Sequence, residues 1–410
     1  MKTFLQAHAA HAEPDKALAV AGAKIEAQRR LPGRATHPTL GWLYLTDHYA
    51  QRAESLLAQV RERWPGVAWV GAVGLGVAAS GTEHFDAPAL SLMLAELPTD
   101  QFHVFSGARP LGDFAAHTAQ VHADPGTDDL PELIKDMSQR THSGYLFGGL
   151  ASARNRPLHI AEDVLQGGLS GVAFGRGVAL VSRVTQGCQP VGPVRSVTAS
   201  ERNVITELDG EPALNCLLRD MDIAEDTEPR EALPRLRQTL VGLSDRRAAD
   251  ARQNGGFYTP PRPGAFGSDT RVRSLIGLDP ARRGVAIGEA AEPGLQLAFC
   301  TRNTQAARRD LMRICTEIRD EVEPEALPRS GPAARGAATG PAARTTAGIA
   351  GAVYVSCTGR GGPHFGAPSA ELALVRQALG DVPLTGFFAA GEIARHHLYG
   401  YTGVLTVFRS

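Results

Sequence analysis

The side chains with the most chemistry per position lie near the C-terminus. Cys357 ends an apolar run, Ala352–Ser356 (AVYVS), and is followed by Thr358-Gly-Arg360-Gly-Gly-Pro-His364. A glycine-rich turn exposes backbone N–H groups in the geometry that binds anions, and Arg360 adds a bidentate partner for a carboxylate. A second apolar run, Val382–Ala389 (VPLTGFFA), opens into Gly391-Glu392-Ile393. If the two runs are parallel strands of one sheet, Cys357, Arg360 and Glu392 converge at its carboxyl edge, where ligand crevices form. Phe387 and Phe388 alternate on such a strand, one toward the core and one outward. The set suits a small zwitterion. Arg360 and the amides of 359–362, Gly361 among them, would hold its carboxylate. Glu392 would take its amino group and a phenylalanine would wall it. Arg154 and Arg302 are further ligand-binding candidates. The same residue types allow an enzyme, with Cys357 as nucleophile and His364 or His396 as base, although no third orienting group is visible. Each residue also has a plainer reading: a core thiol, an Arg360–Glu392 ion pair, loop histidines.

Other motifs fail on spacing. Gly71-Ala-Val-Gly-Leu-Gly76 follows a strand but reads GxxGxG, and no helix opens after it. Gly359–Gly366 lacks the Gly-Lys-Ser/Thr of a phosphate loop, and Gly167-Gly-Leu-Ser-Gly171 misses a nucleophile elbow by one position. The thirteen histidines form no HExxH and the five cysteines no CxxC pair. No metal, cofactor or disulfide framework is therefore expected.

The elements that must position these residues follow one grammar at both ends. Leu40–Leu45 reads as a buried strand. Ala53, Leu56, Leu57, Val60 and Trp64 stripe one helix face. Val67–Val73 is a second strand entering a glycine turn at Gly71–Gly76. Near the C-terminus, Ala352–Ser356, a helix striped by Leu372, Val375 and Leu379, and Val382–Ala389 repeat the pattern. This predicts β-α-β units near both chain ends. Between them lie short β-like stretches: Val164–Phe174, Gly177–Arg183, Val194–Thr198, Val204–Leu208, Val285–Ile287 and Gln296–Phe299. Gly167–Gly168 and Arg283–Gly284 read as hairpin turns. Helices are expected at about 211–221, 228–243 and 304–319. Residues 324–347, rich in Pro, Gly, Ala and Arg, read as a mobile insert. The fold class is α/β (mixed α+β): two tandem related domains of mixed sheets flanked by helices. The expected boundaries are 1–225, with about 1–37 as an N-terminal extension, and 226–410.

Composition narrows the function. The 410 residues carry 42 Lys and Arg against 43 Asp and Glu, a net charge of −1. That balance argues against nucleic acid or an anionic membrane as partner, and no apolar run approaches the roughly 18 residues of a membrane span. Only four of the cations are lysines, an arginine excess that reads mainly as codon bias. The N-terminus lacks the apolar stretch of a signal peptide, so a cytoplasmic location is expected.

The run SCTGRGGPHFG…DVPLTGFFAAGEI (356–393) resembles the C-terminal half of the FIST domain family. RVRSLIGLDP (271–280) and GLQLAFCTRN (294–303) are similar to it too. WVGAVGLGV (69–77), FGGLAS (147–152), GGLSGVAF (167–174), GCQPVG (187–192) and ELDGEPAL (207–214) resemble the N-terminal half. The resemblance spans about 38–408 and departs at the 324–347 insert. It implies a bacterial sensory module that binds small ligands, amino acids having been proposed, with a strand cysteine sensitive to electrophiles. No signalling output domain is visible, which implies a stand-alone FIST protein. The leading expectation is a signal-transduction sensor whose partners are a small-molecule ligand and a separate signalling protein. The alternatives are a Cys357-dependent enzyme and a protein-interaction scaffold using the insert.

Overall fold

The strand Leu40–Thr46 is buried along its whole length, as expected of a strand covered on both faces. The helix Ala53–Arg63 carries the chain back so that Ala68–Gly74 pairs with it in parallel. Ile349–Cys357, the helix Ala370–Leu379 and Leu384–Ala389 do the same near the C-terminus. Both β-α-β units read from the sequence are present. A third was missed: Thr118–Ala123, the helix Leu130–Gln139 and the parallel strand Leu146–Leu150. The computed structural model that shows these elements describes residues 1–224, 227–245, 270–323 and 348–410. The insert expected at 324–347 lies outside the described residues.

The three units are repeats of one longer plan. After its parallel strand, each sends out a hairpin and then a return strand antiparallel to its first strand. The hairpins are Gly76–Ala79 with Thr82–Phe85, Leu158–Ala161 with Asp163–Gln166, and Glu392–Arg395 with His397–Tyr399. The return strands are Ala89–Ala95, Leu169–Phe174 and Thr402–Arg409. Each hairpin joins the sheet of another repeat. The first repeat's hairpin pairs with Leu384–Ala389, the second's with Ala68–Gly74 and the third's with Leu146–Leu150. Leu5–Ala10, Phe102–Phe105 and Leu180–Gln186 complete three six-stranded sheets at the far edge. The exchange runs in a closed ring.

One residue type marks the equivalent point in each repeat. Gly71, Gly148 and Gly386 sit opposite Leu43, Val121 and Tyr354. A Cβ on these glycines would stand 1.9, 1.8 and 1.7 Å from the carbonyl oxygens of those three residues. Only glycine lets the strands approach so closely. Gly71 is thus inside a strand rather than in the turn expected for it.

Helices cover the outer faces, where Leu43 and Leu45 pack with Leu56, Leu57 and Val60, and Val121 and Ala123 with Ile134 and Met137. The inner faces meet in a core that is partly polar. Trp42 Nε1 donates to Gln120 Oε1 at 2.7 Å, Gln120 Nε2 donates to Tyr44 Oη at 2.7 Å, and Tyr44 Oη lies 3.0 Å from His122 Nε2. Burial, aided by His159, pushes His122 down to about 3. Phe387 stacks on Tyr44 at 5.2 Å, and Phe408 packs on Trp42 and Phe174.

These sheets belong to one compact unit, made of Met1–Thr185, Arg308–Leu398 and Thr402–Ser410. The other is Gln186–Ala307 with Tyr399–Tyr401. The second unit is an antiparallel sheet of eight strands whose core holds Cys216, Leu217, Leu236, Val241 and Phe299. Its buried Arg195 pairs with Asp220 through two bonds of 2.6 and 2.7 Å.

Two sequence expectations need correction. The helix expected over 228–243 stops at Arg237, and Thr239–Asp245 is a strand between 271–279 and 295–302. Its β-branched Thr239 and Val241 suit a sheet, and ladder pairing outweighs weak local helix preference. Gly167–Gly168, both at positive φ, is not a hairpin turn. It passes the chain from one sheet to another, because Asp163–Gln166 pairs with Leu158–Ala161 and Leu169–Phe174 with Thr118–Ala123. Residues 1–37 join the first repeat's sheet: Leu5–Ala10 pairs with Ala89–Ala95 and the helix Pro14–Arg29 packs on it.

Candidate functional site

Cys357 is the last residue of its strand, and Arg360 turns back from the loop after it, donating its backbone N–H to the Cys357 carbonyl at 2.8 Å. Strand alternation puts Tyr354 and Ser356 on the helix-covered face and Cys357 on the other. The helix Ala370–Leu379 presents Glu371 to the first face. Glu371 Oε1 accepts Arg360 Nε and Nη2 at 2.8 and 2.6 Å and Tyr354 Oη at 2.6 Å, while Oε2 accepts Ser356 Oγ at 3.0 Å. Arg360 and Glu371 are each 1% exposed. Burial alone would lower the guanidinium pKa, but Glu371 outweighs it and the net direction is upward. The Phe365 ring lies 5.0 Å from the guanidinium carbon, adding a cation–π contact. The guanidinium edge expected to face a ligand carboxylate is thus held by Glu371. Arg360 Nη1 is left buried without a hydrogen-bond partner.

Glu392 begins the third repeat's hairpin and is fully buried. Its Oε2 accepts the Thr402 N–H at 3.0 Å and Thr402 Oγ1 at 2.7 Å. Its Oε1 receives no nitrogen or oxygen donor. Burial pushes Glu392 up to about 8, against the pull of Thr402, Arg360 and a hydrogen bond with Cys357. The carboxyl is therefore protonated at neutral pH. Cys357, Arg360 and Glu392 do come together at the carboxyl edge. His364 lies in the short turn Gly362–Phe365, its ring 5.5 Å from that of Phe365, and the His396 ring lies 3.9 Å from that of His397, tilted by 46°.

The glycine turn does bind an anion, and the anion is internal. Glu83, from the first repeat's hairpin, accepts the Gly362 and Ser369 N–H groups through Oε1 at 3.1 and 2.9 Å. Gly361 is required by close packing, since a Cβ there would come within 2.3 Å of Phe85. Phe387 and Phe388 are both fully buried, so neither faces outward. Phe388 meets Phe85 edge-on at 5.2 Å, because sheet and loop cover both sides of that strand. Arg154 is away from this cluster, bound to Asp47 at 2.9 Å and to Asp86. Arg302, in the other compact unit, lies 5.5 Å over the Tyr401 ring.

Sequence reasoning missed Glu371, Tyr354, Ser356, Thr402 and Glu83. A faint signal existed for the first three. Tyr354 and Ser356 are two apart on one strand face, and Glu371 sits among Leu372, Val375 and Leu379 on a helix face that must be buried. Thr402 and Glu83 carry no such mark.

Comparison with known families agrees with this architecture. A FIST N domain matches residues 39–211 and a FIST C domain matches residues 213–395. An uncharacterized protein of Mycobacterium tuberculosis H37Rv is 31% identical over 413 residues, covering 96% of this chain and 97% of that protein. An uncharacterized protein of Mycobacterium bovis is 30% identical over 415 residues, covering 96% of each. FIST domains are generally sensory domains for small ligands in signal transduction. The two domain matches, N-terminal and C-terminal, meet almost end to end across the chain, and the chain belongs to the FIST family.

Proposed function

We propose that this chain is a stand-alone sensor that binds a small carboxylate-bearing metabolite, an amino acid or a related acid, and passes the signal to a separate signalling protein. The supporting observation is a pair of buried polar atoms left without nitrogen or oxygen partners, the guanidinium Nη1 of Arg360 and the carboxyl Oε1 of Glu392. Buried polar atoms are otherwise paired in the great majority of cases. A ligand carboxylate would accept from Arg360 Nη1. A ligand ammonium would donate to Glu392 and draw its pKa down from about 8. Phe388, Gly361 and Cys357 border the corner. It is closed in this structure, with Cys357 7% exposed, so entry requires the 358–369 segment to open.

A thermal-shift screen of the proteinogenic amino acids and simple carboxylic acids tests the reading. At least one should raise Tm in wild type and lose most of that effect in Glu392→Gln. A flat response in wild type, or an equal response in the variant, rejects it.

A further inference from the structure

The repeat plan exposes a second site, at the opposite end of the strands from the Cys357 corner. In the first repeat, the chain entering Leu40–Thr46 wraps a carboxylate. Glu96 Oε2 accepts the N–H groups of Thr36 and His37 at 2.8 and 2.9 Å, and Lys2 Nζ reaches Oε1 at 2.9 Å. Despite the cost of its partial burial, these donors hold Glu96 at about 2. Counting from the equivalent pairs Leu43–Leu92 and Val121–Gly171, the second repeat has Phe114 and Ala115 in place of Thr36 and His37. It has Gly175 in place of Glu96. One closing bond confirms the register: Thr39 N–H to Ala95 O at 2.8 Å in the first repeat, His117 N–H to Phe174 O at 2.7 Å in the second.

Where the first repeat holds Glu96, the second has an open cleft of about 820 Å³. Arg140, Arg176, His117 and His142 line it. Among the described residues neither arginine is ion-paired with a carboxylate, whereas half of the arginines described in this unit are. Arg176 rests against His142, and the His117 and His142 rings are 5.9 Å apart. His117 Nδ1 is buried without a partner. The Ala115 N–H, equivalent to that of His37, donates to no acceptor among the described residues. Asp100 and Asp113 also line the cleft, so it selects by geometry rather than by net charge.

We propose that this cleft binds the carboxylate of a small organic acid in the place that Glu96 fills in the first repeat. The Ala115 amide and the Arg176 guanidinium are its main donors. The proposal is independent of the Cys357 corner.

Titration of the full-length chain with glutarate, followed by calorimetry and by amide NMR shifts, tests it. Glutarate should bind saturably and shift the amides of 114–117 and 175–176. Arg176→Gln should weaken binding about tenfold through loss of a charge-assisted bond. Gly175→Glu should abolish it by supplying an internal carboxylate; its Cβ would stand 2.8 Å from Gln101 Oε1, a side-chain end that must shift, and at ordinary contact, 3.6 Å, from the Gln101 carbonyl oxygen. Failure of glutarate to saturate, equal affinity in Arg176→Gln, or binding of inorganic phosphate in preference to glutarate would each overturn the proposal.

Discussion

Two corners of the ring occupy the same place in different repeats and are finished differently. In the second repeat, Asp124 follows the first strand and His159 leads the hairpin. In the third, Cys357 and Glu392 take those positions. The second corner is saturated. Asp124 accepts the Gly126 and Gly167 N–H groups at 2.8 and 2.9 Å, and His159 engages Ser170 Oγ at 2.6 Å and the Gly167 carbonyl at 3.0 Å. Burial lowers the His159 pKa, against the pull of Gly167 and Asp124. The third corner keeps two buried polar atoms unsatisfied, Arg360 Nη1 and Glu392 Oε1, the second belonging to a carboxyl that burial keeps neutral. The first has Thr46 and Val77 and no ionisable group. One backbone plan thus supports a silent corner, a structural one and one left incomplete. Incompleteness, rather than the presence of ionisable residues, is what singles out the candidate site.

The largest expected effect tests whether the corners are equivalent at all. Gly71→Ala, Gly148→Ala and Gly386→Ala should each prevent folding, judged by loss of the cooperative thermal transition, because each Cβ would overlap a carbonyl oxygen. If one alanine variant folds normally, the repeats differ at that point. Next is Glu371→Ala, which strands the Arg360 charge in the interior. Denaturant unfolding should show a loss of about 3–5 kcal/mol, and a loss under 1 would mean Arg360 finds water. Asp124→Ala in the saturated corner leaves two N–H groups unmet and should cost about 1–3 kcal/mol for each.

Glu392→Gln should act through pH. A carboxyl whose folded pKa is raised to about 8 keeps its proton while the unfolded chain loses it above about 4.3. Wild-type stability therefore falls as pH rises between those values, by at most about 1.4 kcal/mol per pH unit. The glutamine variant should lack that slope and overtake wild type toward pH 8; parallel stability curves would refute the buried-acid description. The smallest effect is expected for Cys357→Ser, which keeps a donor toward Glu392 and should move stability by about 1 kcal/mol or less.

What the sequence disclosed follows from local periodicity. Leu40–Thr46 and Ile349–Cys357 are long apolar strands beside well-striped helices, so their β-α-β units were legible. Thr118–Ala123 contains Gln120 and His122 within it, and Leu146–Leu150 contains two glycines. Its repeat was hidden because the inner face of that sheet is polar and its crossing point demands glycine. The convergence of Cys357, Arg360 and Glu392 was legible from strand order. The capture of Arg360 by Glu371 was not, since nothing local distinguishes a buried helix glutamate from an exposed one. The Glu96-shaped cleft became visible only once register related residues 36 and 37 to 114 and 115.

The closed exchange of hairpins also sets an order of events during synthesis. The first repeat's hairpin, finished at Phe85, has no sheet to join until Leu384–Ala389 exists, some three hundred residues later. On a ribosome that adds about 5–20 residues per second, that hairpin waits on the order of a quarter of a minute or more. Until that pairing forms, its apolar Val77 and Phe85 remain uncovered. A nascent chain stalled before residue 384 would therefore be the aggregation-prone species, and release of Thr402–Arg409 would be the step that ends the risk.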